Sequence, residues 1–184
     1  MSLTKTPICN FGEGAKDFKL ISTENKKVSL ADIKGKNGIL IMFICNHCPY
    51  VKAVINDIVE DTKYLESLGI KSTAIMSNDV KNYPEDSFDN MIAFSKSNNF
   101  SFPYLLDETQ DVAKNYGAVC TPDFFGYNKN LELQYRGRIR ELKNLKPVRK
   151  GDGDLKIAMK LIAETGNGPK NQIPSMGCNI KWFK

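Results

Sequence analysis

The sequence is short of several things. It holds one histidine and one tryptophan in 184 residues. No apolar run approaches the ~20 residues that a bilayer-spanning helix needs, so no membrane partner is expected. The opening stretch MSLTKTPICNFGEGAKDFKL has no long apolar segment and no small-residue cleavage pattern, which predicts no secretory signal. There is no Walker or dinucleotide-binding fingerprint, and hence no expected nucleotide or flavin cofactor. Internal repeats and low-complexity segments are missing too. Cysteine is sparse and odd in number, five in all, without the spacing of a disulfide framework. That excludes a small scaffold stapled by disulfides and fits a reducing cytoplasm.

The rest is ordinary for a soluble globular protein, at 41% hydrophobic and 26% charged residues. The length predicts one domain over residues 1–184, with a core at about 11–166 and an irregular tail over 167–184. The net charge is +5, and most of the excess lies in RGRIRELKNLKPVRK, residues 136–150. Charge runs usually face water, and this one lacks the aromatic interleaving of a nucleic-acid surface. It reads as a solvated hairpin edge and loop, with no nucleic-acid partner.

Strand-like and helix-like patterns alternate along the chain, which predicts an α/β domain. Residues 18–21 and 28–30 flank a polar turn and read as a β-hairpin. Residues 39–44 form a continuous apolar run after Gly35 and Gly38, as in a strand buried on both faces. Pro49 suits the first turn of a helix. Val51, Val54, Ile55, Ile58, Val59, Thr62, Leu65 and Leu68 then predict one helix ending at Gly69, and residues 70–76 the next strand. Further on, 87–98 reads as a helix and 102–106 as a short strand. Asp107 and Gln110 form a capping box for a helix over 108–116. A hairpin follows over 124–135, then a helix over 154–165 with Leu155, Ala158, Met159 and Ile162 on one face.

At the seam between the first buried strand and its helix stands Cys45-Asn46-His47-Cys48-Pro49. Five scattered cysteines give some C-x-x-C pair by chance about one time in ten, so context must decide. A thiol reacts as thiolate, and the unpaired N–H groups of a first helical turn favour that form. Cys45, just before the turn, is expected to be exposed and to attack a substrate disulfide. Cys48, inside the turn, is expected to be more buried and to release the product. His47 is expected to favour the Cys45 thiolate. Covalent haem is excluded because Pro49, not histidine, follows Cys48.

This order of elements, with C-x-x-C closing the first crossover strand, resembles the thioredoxin fold, a central mixed sheet flanked by helices, here with an N-terminal β-hairpin extension. CNHCPYV (45–51), SNDV (77–80), YPEDS (83–87), FPYLLDE (102–108), TPDFFGYN (121–128), YRGRI (135–139) and GCNIKW (177–182) resemble peroxiredoxin-like members of the alkyl hydroperoxide reductase / thiol-specific antioxidant superfamily. The resemblance implies a cis peptide bond before Pro122 and a Thr121 backbone free to pair with an extended substrate. It implies a thiol-disulfide oxidoreductase acting on a disulfide-containing protein or small thiol, recharged by a separate reducing partner. A peroxiredoxin pattern P-x-x-x-T/S-x-x-C placed on Cys48 meets Ile41 instead of proline and Cys45 instead of Thr or Ser. Ile44 stands where thioredoxin has tryptophan. Two alternatives use the same residues: an atypical thiol peroxidase, and a metal-binding module of Cys45, Cys48 and either His47 or Cys120. Cys120 is read as a packed thiol or an extra redox partner, Cys178 as a packed residue or a resolving thiol. Cys9 is assigned nothing.

Overall fold

The structure is a computed structural model and describes residues 2–7 and 10–184, so Cys9 lies outside the described residues. In chain order the strands and helices are β1 (Leu3–Lys5), β2 (Lys19–Ser22), β3 (Lys27–Ser29), β4 (Gly38–Phe43), α1 (Pro49–Ala53), α2 (Ile55–Ser67) and β5 (Ile70–Met76). There follow α3 (Phe88–Ser97), β6 (Tyr104–Leu106), α4 (Asp111–Tyr116), β7 (Cys120–Thr121), β8 (Asp123–Asn128) and β9 (Leu133–Arg136). The chain ends with β10 (Leu142–Lys143), β11 (Lys146–Pro147), α5 (Asp154–Thr165) and β12 (Met176–Asn179).

The main sheet has the order β3-β2-β6-β5-β4-β8-β9. Inside it, β4 runs parallel to β5 and antiparallel to β8. The expected hairpin β2–β3 extends one edge. This is the mixed α/β architecture of the thioredoxin fold. Side chains alternate across a strand, and β4 divides the core accordingly. Leu40, Met42 and Ile44 pack with Ile58 and Leu65 of α2, Met91 of α3 and Leu155 and Met159 of α5. Ile39, Ile41 and Phe43 pack with Phe18, Ile33, Val112 and Tyr116 on the opposite face. Both faces are covered, which is why the strand reads as an unbroken apolar run.

Four local readings are corrected. The helix after Pro49 is interrupted at Val54 (φ −117°, ψ 10°), whose N–H bonds back to the Val51 carbonyl at 3.1 Å, one residue short of the helical register. The Asp107–Gln110 pair is no capping box. Asp107 accepts from the Val112 and Ala113 N–H groups at 3.3 and 2.9 Å, so it caps α4 from a distance. Gln110 adopts a left-handed conformation (φ 66°), and its Nε2 donates to the Ser77 and Lys181 carbonyls.

The stretch read as an irregular tail contains β12, which lies between β1 and β7 in a second sheet. Nothing in its short, glycine-containing sequence alternates; the strand forms because an unpaired edge is available to it. Gly177 is needed there, since a Cβ would stand 2.0 Å from the Thr121 carbonyl oxygen. Beyond β12, Lys181 bonds through its N–H to Asn78 Oδ1 and through its carbonyl to the Asp79 N–H, each at 2.8 Å.

The basic segment is only partly solvated. Lys143, Lys146, Arg149 and Lys150 are exposed, on and just after the hairpin β10–β11. Arg136, by contrast, is buried against Asp123 at 2.9 Å, over the Phe125 ring, and Arg138 and Arg140 pair with Asp154 and Asp57. Among the described residues no helix is long and apolar enough to cross a membrane.

Candidate active site

The carboxyl end of β4 leads through Ile44 to Cys45, and Cys48 is the N-cap of α1, with Pro49 in the first turn. Because β8 lies antiparallel to β4, with Phe43 opposite Asp123, the preceding Thr121-Pro122 is carried to the same place. That peptide bond is cis, as the resemblance implies. Thr121 touches both sulfurs: its Oγ1 lies 3.3 Å from Cys45 Sγ and its carbonyl oxygen 3.2 Å from Cys48 Sγ. The expected set of Cys45, His47, Cys48, Thr121 and Pro122 is therefore brought together.

Two expectations about it fail. Cys45 is not exposed: it is 1% accessible and Cys48 is 0%. Nor is the Thr121 backbone free, because β12 occupies its edge with Cys178 opposite Thr121 and Asn179 opposite Cys120. Cys178 comes to the pair by this pairing and offers its thiol and backbone N–H to Cys48. Cys120 is engaged elsewhere: its thiol contacts the Pro122 carbonyl at 3.7 Å, and burial and the Asp123 charge push its pKa up.

The sequence reading missed Asp86. It ends a 3-10 turn begun by Pro84 and is fully buried. Its Oδ1 accepts the Asn46 N–H at 2.8 Å, and its Oδ2 meets His47 Nδ1 at 2.7 Å and Asn78 Nδ2 at 2.8 Å. Asn46 is held in turn by the Tyr104 hydroxyl, at 2.9 Å. The His47 ring stacks on Tyr83, with centroids 6.0 Å apart. The signal in the sequence was a pair of acids in YPEDS, Glu85 and Asp86, in a segment whose register against Cys45 is set by tertiary contacts.

These neighbours decide where the charge of the dithiol sits. Cys48 is lowered to about 5, first by the Cys45 thiol, then by the Cys178 thiol and the Val51 and Cys178 N–H groups, against the cost of burial. Cys45 is raised well above its ordinary value by its hydrogen bond to Cys48, by burial and by the Asp86 charge. The two thiols are hydrogen-bonded and share one proton, with donors gathered on Cys48 and the Asp86 charge beside Cys45. The Thr121 carbonyl opposes charge on Cys48, and it accepts from that thiol when the proton moves across. The Thr121 hydroxyl can then donate to Cys45. Contacts for both proton placements are present.

One sulfur of Cys45, one ring nitrogen of His47 and one oxygen of Asp86 lie within 4.8 Å of one another, as metal ligands would. Asp86, however, already accepts hydrogen bonds from Asn46 and Asn78, and His47 Nδ1 is committed to it. These atoms form a hydrogen-bonded carboxylate–imidazole pair beside a thiol. Cys120, a ligand in the metal alternative, does not join them.

Comparison with known proteins gives a consistent family. The model of the AhpC/TSA family matches residues 11–142. The thiol-disulfide oxidoreductase ResA of Bacillus thuringiensis is 28% identical over 134 residues, spanning 69% of this chain and 69% of that one. An uncharacterized conserved protein from Geobacillus kaustophilus superposes on 100% of this chain and 97% of its own, with a TM-score of 0.94 and 37% identity. A hypothetical protein from Sinorhizobium meliloti covers 98% of each chain, with a TM-score of 0.90 and 34% identity.

Proposed function

The chain belongs to the AhpC/TSA family and is an oxidoreductase, and we propose that its activity is thiol-disulfide exchange through Cys45 and Cys48. The observation that carries this reading is the placing of two buried thiols against one residue, Thr121, whose hydroxyl lies 3.3 Å from Cys45 Sγ and whose carbonyl lies 3.2 Å from Cys48 Sγ. The cycle begins with the charge on Cys48. Transfer of the Cys45 proton to Cys48 produces the Cys45 thiolate, which attacks a substrate disulfide and forms a mixed disulfide. Cys48 then attacks Cys45, and the substrate leaves fully reduced. Two thiols of the protein are oxidised to one disulfide, and one substrate disulfide becomes two thiols.

The substrate class is a disulfide-containing protein or a small disulfide, and a separate reducing partner restores the dithiol. A groove of about 410 Å³ borders Pro122 and the start of β12, lined by Tyr50, Val54, Phe124, Ile139 and Leu142. It suits an apolar flank of a protein substrate. We place the protein in the cytoplasm, on its odd cysteine count, and take residues 1–184 as one domain.

The test is a redox titration in glutathione buffers, with thiol trapping and peptide mapping. A reversible Cys45–Cys48 disulfide is expected, with a potential between roughly −270 and −120 mV. His47→Ala should make it more negative, because an uncompensated Asp86 charge then disfavours the Cys45 thiolate. Failure of Cys45 and Cys48 to pair at any potential would overturn the reading. Peroxide consumption with pairing of only one of these thiols would favour the peroxidase instead.

A further inference from the structure

Cys178 stands on β12 directly opposite Thr121, the residue that touches both sulfurs. It is 4% exposed and packs in the same apolar cluster as Cys45 and Cys48. Its thiol and backbone N–H both address Cys48 Sγ. Three thiols therefore share one buried space, with Cys48 in the middle.

We propose that Cys178 is a third redox thiol, which takes over the active-site disulfide by exchange, so that the oxidised protein divides between Cys45–Cys48 and Cys48–Cys178 linkages. The proposal rests on the reading of Cys45 and Cys48 as a redox pair. Cys178 gives up its proton and its sulfur attacks Cys48 Sγ. The Cys48–Cys178 bond forms as the Cys45–Cys48 bond breaks, and Cys45 departs with the electron pair and takes up the proton. No electrons enter or leave the protein, so the step needs no oxidant beyond the disulfide already present.

The geometry also gates the step. In the reduced protein, burial and the hydrogen bond to Cys48 push the Cys178 thiol up to about 12, which disfavours its thiolate. Once Cys48 is in a disulfide it has no charge to accept that hydrogen bond, and the second of these two restraints is gone. Exchange then releases Cys45 as a free thiol beside Asp86 and ties β12 covalently to the first turn of α1.

The full chain is oxidised with glutathione disulfide, free thiols are blocked with N-ethylmaleimide, and linked peptides are mapped by mass spectrometry. In the unmodified sequence both linkages should appear, and molecules carrying Cys48–Cys178 should carry a blocked Cys45. Cys45→Ala should form Cys48–Cys178 and shed the glutathione first attached to Cys48. Finding only Cys45–Cys48 in the unmodified sequence, with a lasting glutathione adduct on Cys48 in Cys45→Ala, would overturn the relay. If circular dichroism shows Cys45→Ala to be unfolded, mapping of the unmodified chain decides alone. Cys178→Ser separates the two readings: it should still form Cys45–Cys48, and its failure to do so would count against the redox pair itself.

Discussion

The Asp86 charge raises the Cys45 thiol, after its hydrogen bond to Cys48 and its burial. The Asp86 carboxylate sits beside Cys45 while hydrogen-bond donors gather on Cys48. Asp86→Asn removes the charge and keeps a side-chain amide of the same shape. The Cys45 thiol should then ionise more readily, and its alkylation by iodoacetamide at neutral pH should quicken by roughly tenfold for each pKa unit regained. An unchanged rate would dissociate Asp86 from the thiol chemistry. Elsewhere, Asp61 is buried with Oδ2 unpartnered, and burial pushes its pKa to about 7 against the attraction of Lys156. The folded chain keeps this proton up to about pH 7, whereas an unfolded aspartate loses it near ~3.9. Between those values the folded state binds more protons, so the contribution of Asp61 to stability falls as pH rises. Asp61→Asn should be more stable than the parent in urea melts at pH 8, with the gap closing towards pH 5.

Among the elements, β12 separates what a sequence can announce from what it cannot. The strand β4 announces itself, because burial on both faces requires an apolar residue at every position. The helix of residues 154–165 does so through one apolar stripe at Leu155, Ala158, Met159 and Ile162, all buried. Met176–Asn179 has neither signal, and its strand exists because the Thr121 edge is there to pair with. Gly177→Val, which puts atoms into the Thr121 carbonyl, should lift β12 away. Hydrogen exchange at residues 119–121 should accelerate, and Cys48 should become alkylable. Within the hairpin β8–β9, the buried pair Asp123–Arg136 ties the start of β8, next to Pro122, to the end of β9. Arg136→Met strands a buried carboxylate next to Pro122 and should cost about 3–5 kcal/mol in chemical denaturation.

In the molecule as a whole, the sheet divides the interior into a face that holds the sulfurs and a face that does not. Met42 belongs to the first and Ile41 to the second. Each substitution by alanine should cost about 2–5 kcal/mol. Only Met42→Ala should also shift the redox potential, a contrast readable from denaturation and glutathione titration of the same two proteins. The frame and the Cys45–Cys48 seam were legible because they lie at an element boundary that local pattern marks, while Thr121 and Pro122 were legible only through the family resemblance. Asp86 and Cys178 were not, since only the folded chain sets their distance from the sulfurs. The second sheet has one more effect. β1 pairs with β12, which pairs with β7, so Leu3 lies opposite Cys178 and Cys178 opposite Thr121, the residue that meets both sulfurs. Any attachment or substitution on β1 would therefore pull on the strand that covers the thiols, and the treatment of residues 3–5 becomes a variable in any assay of this protein.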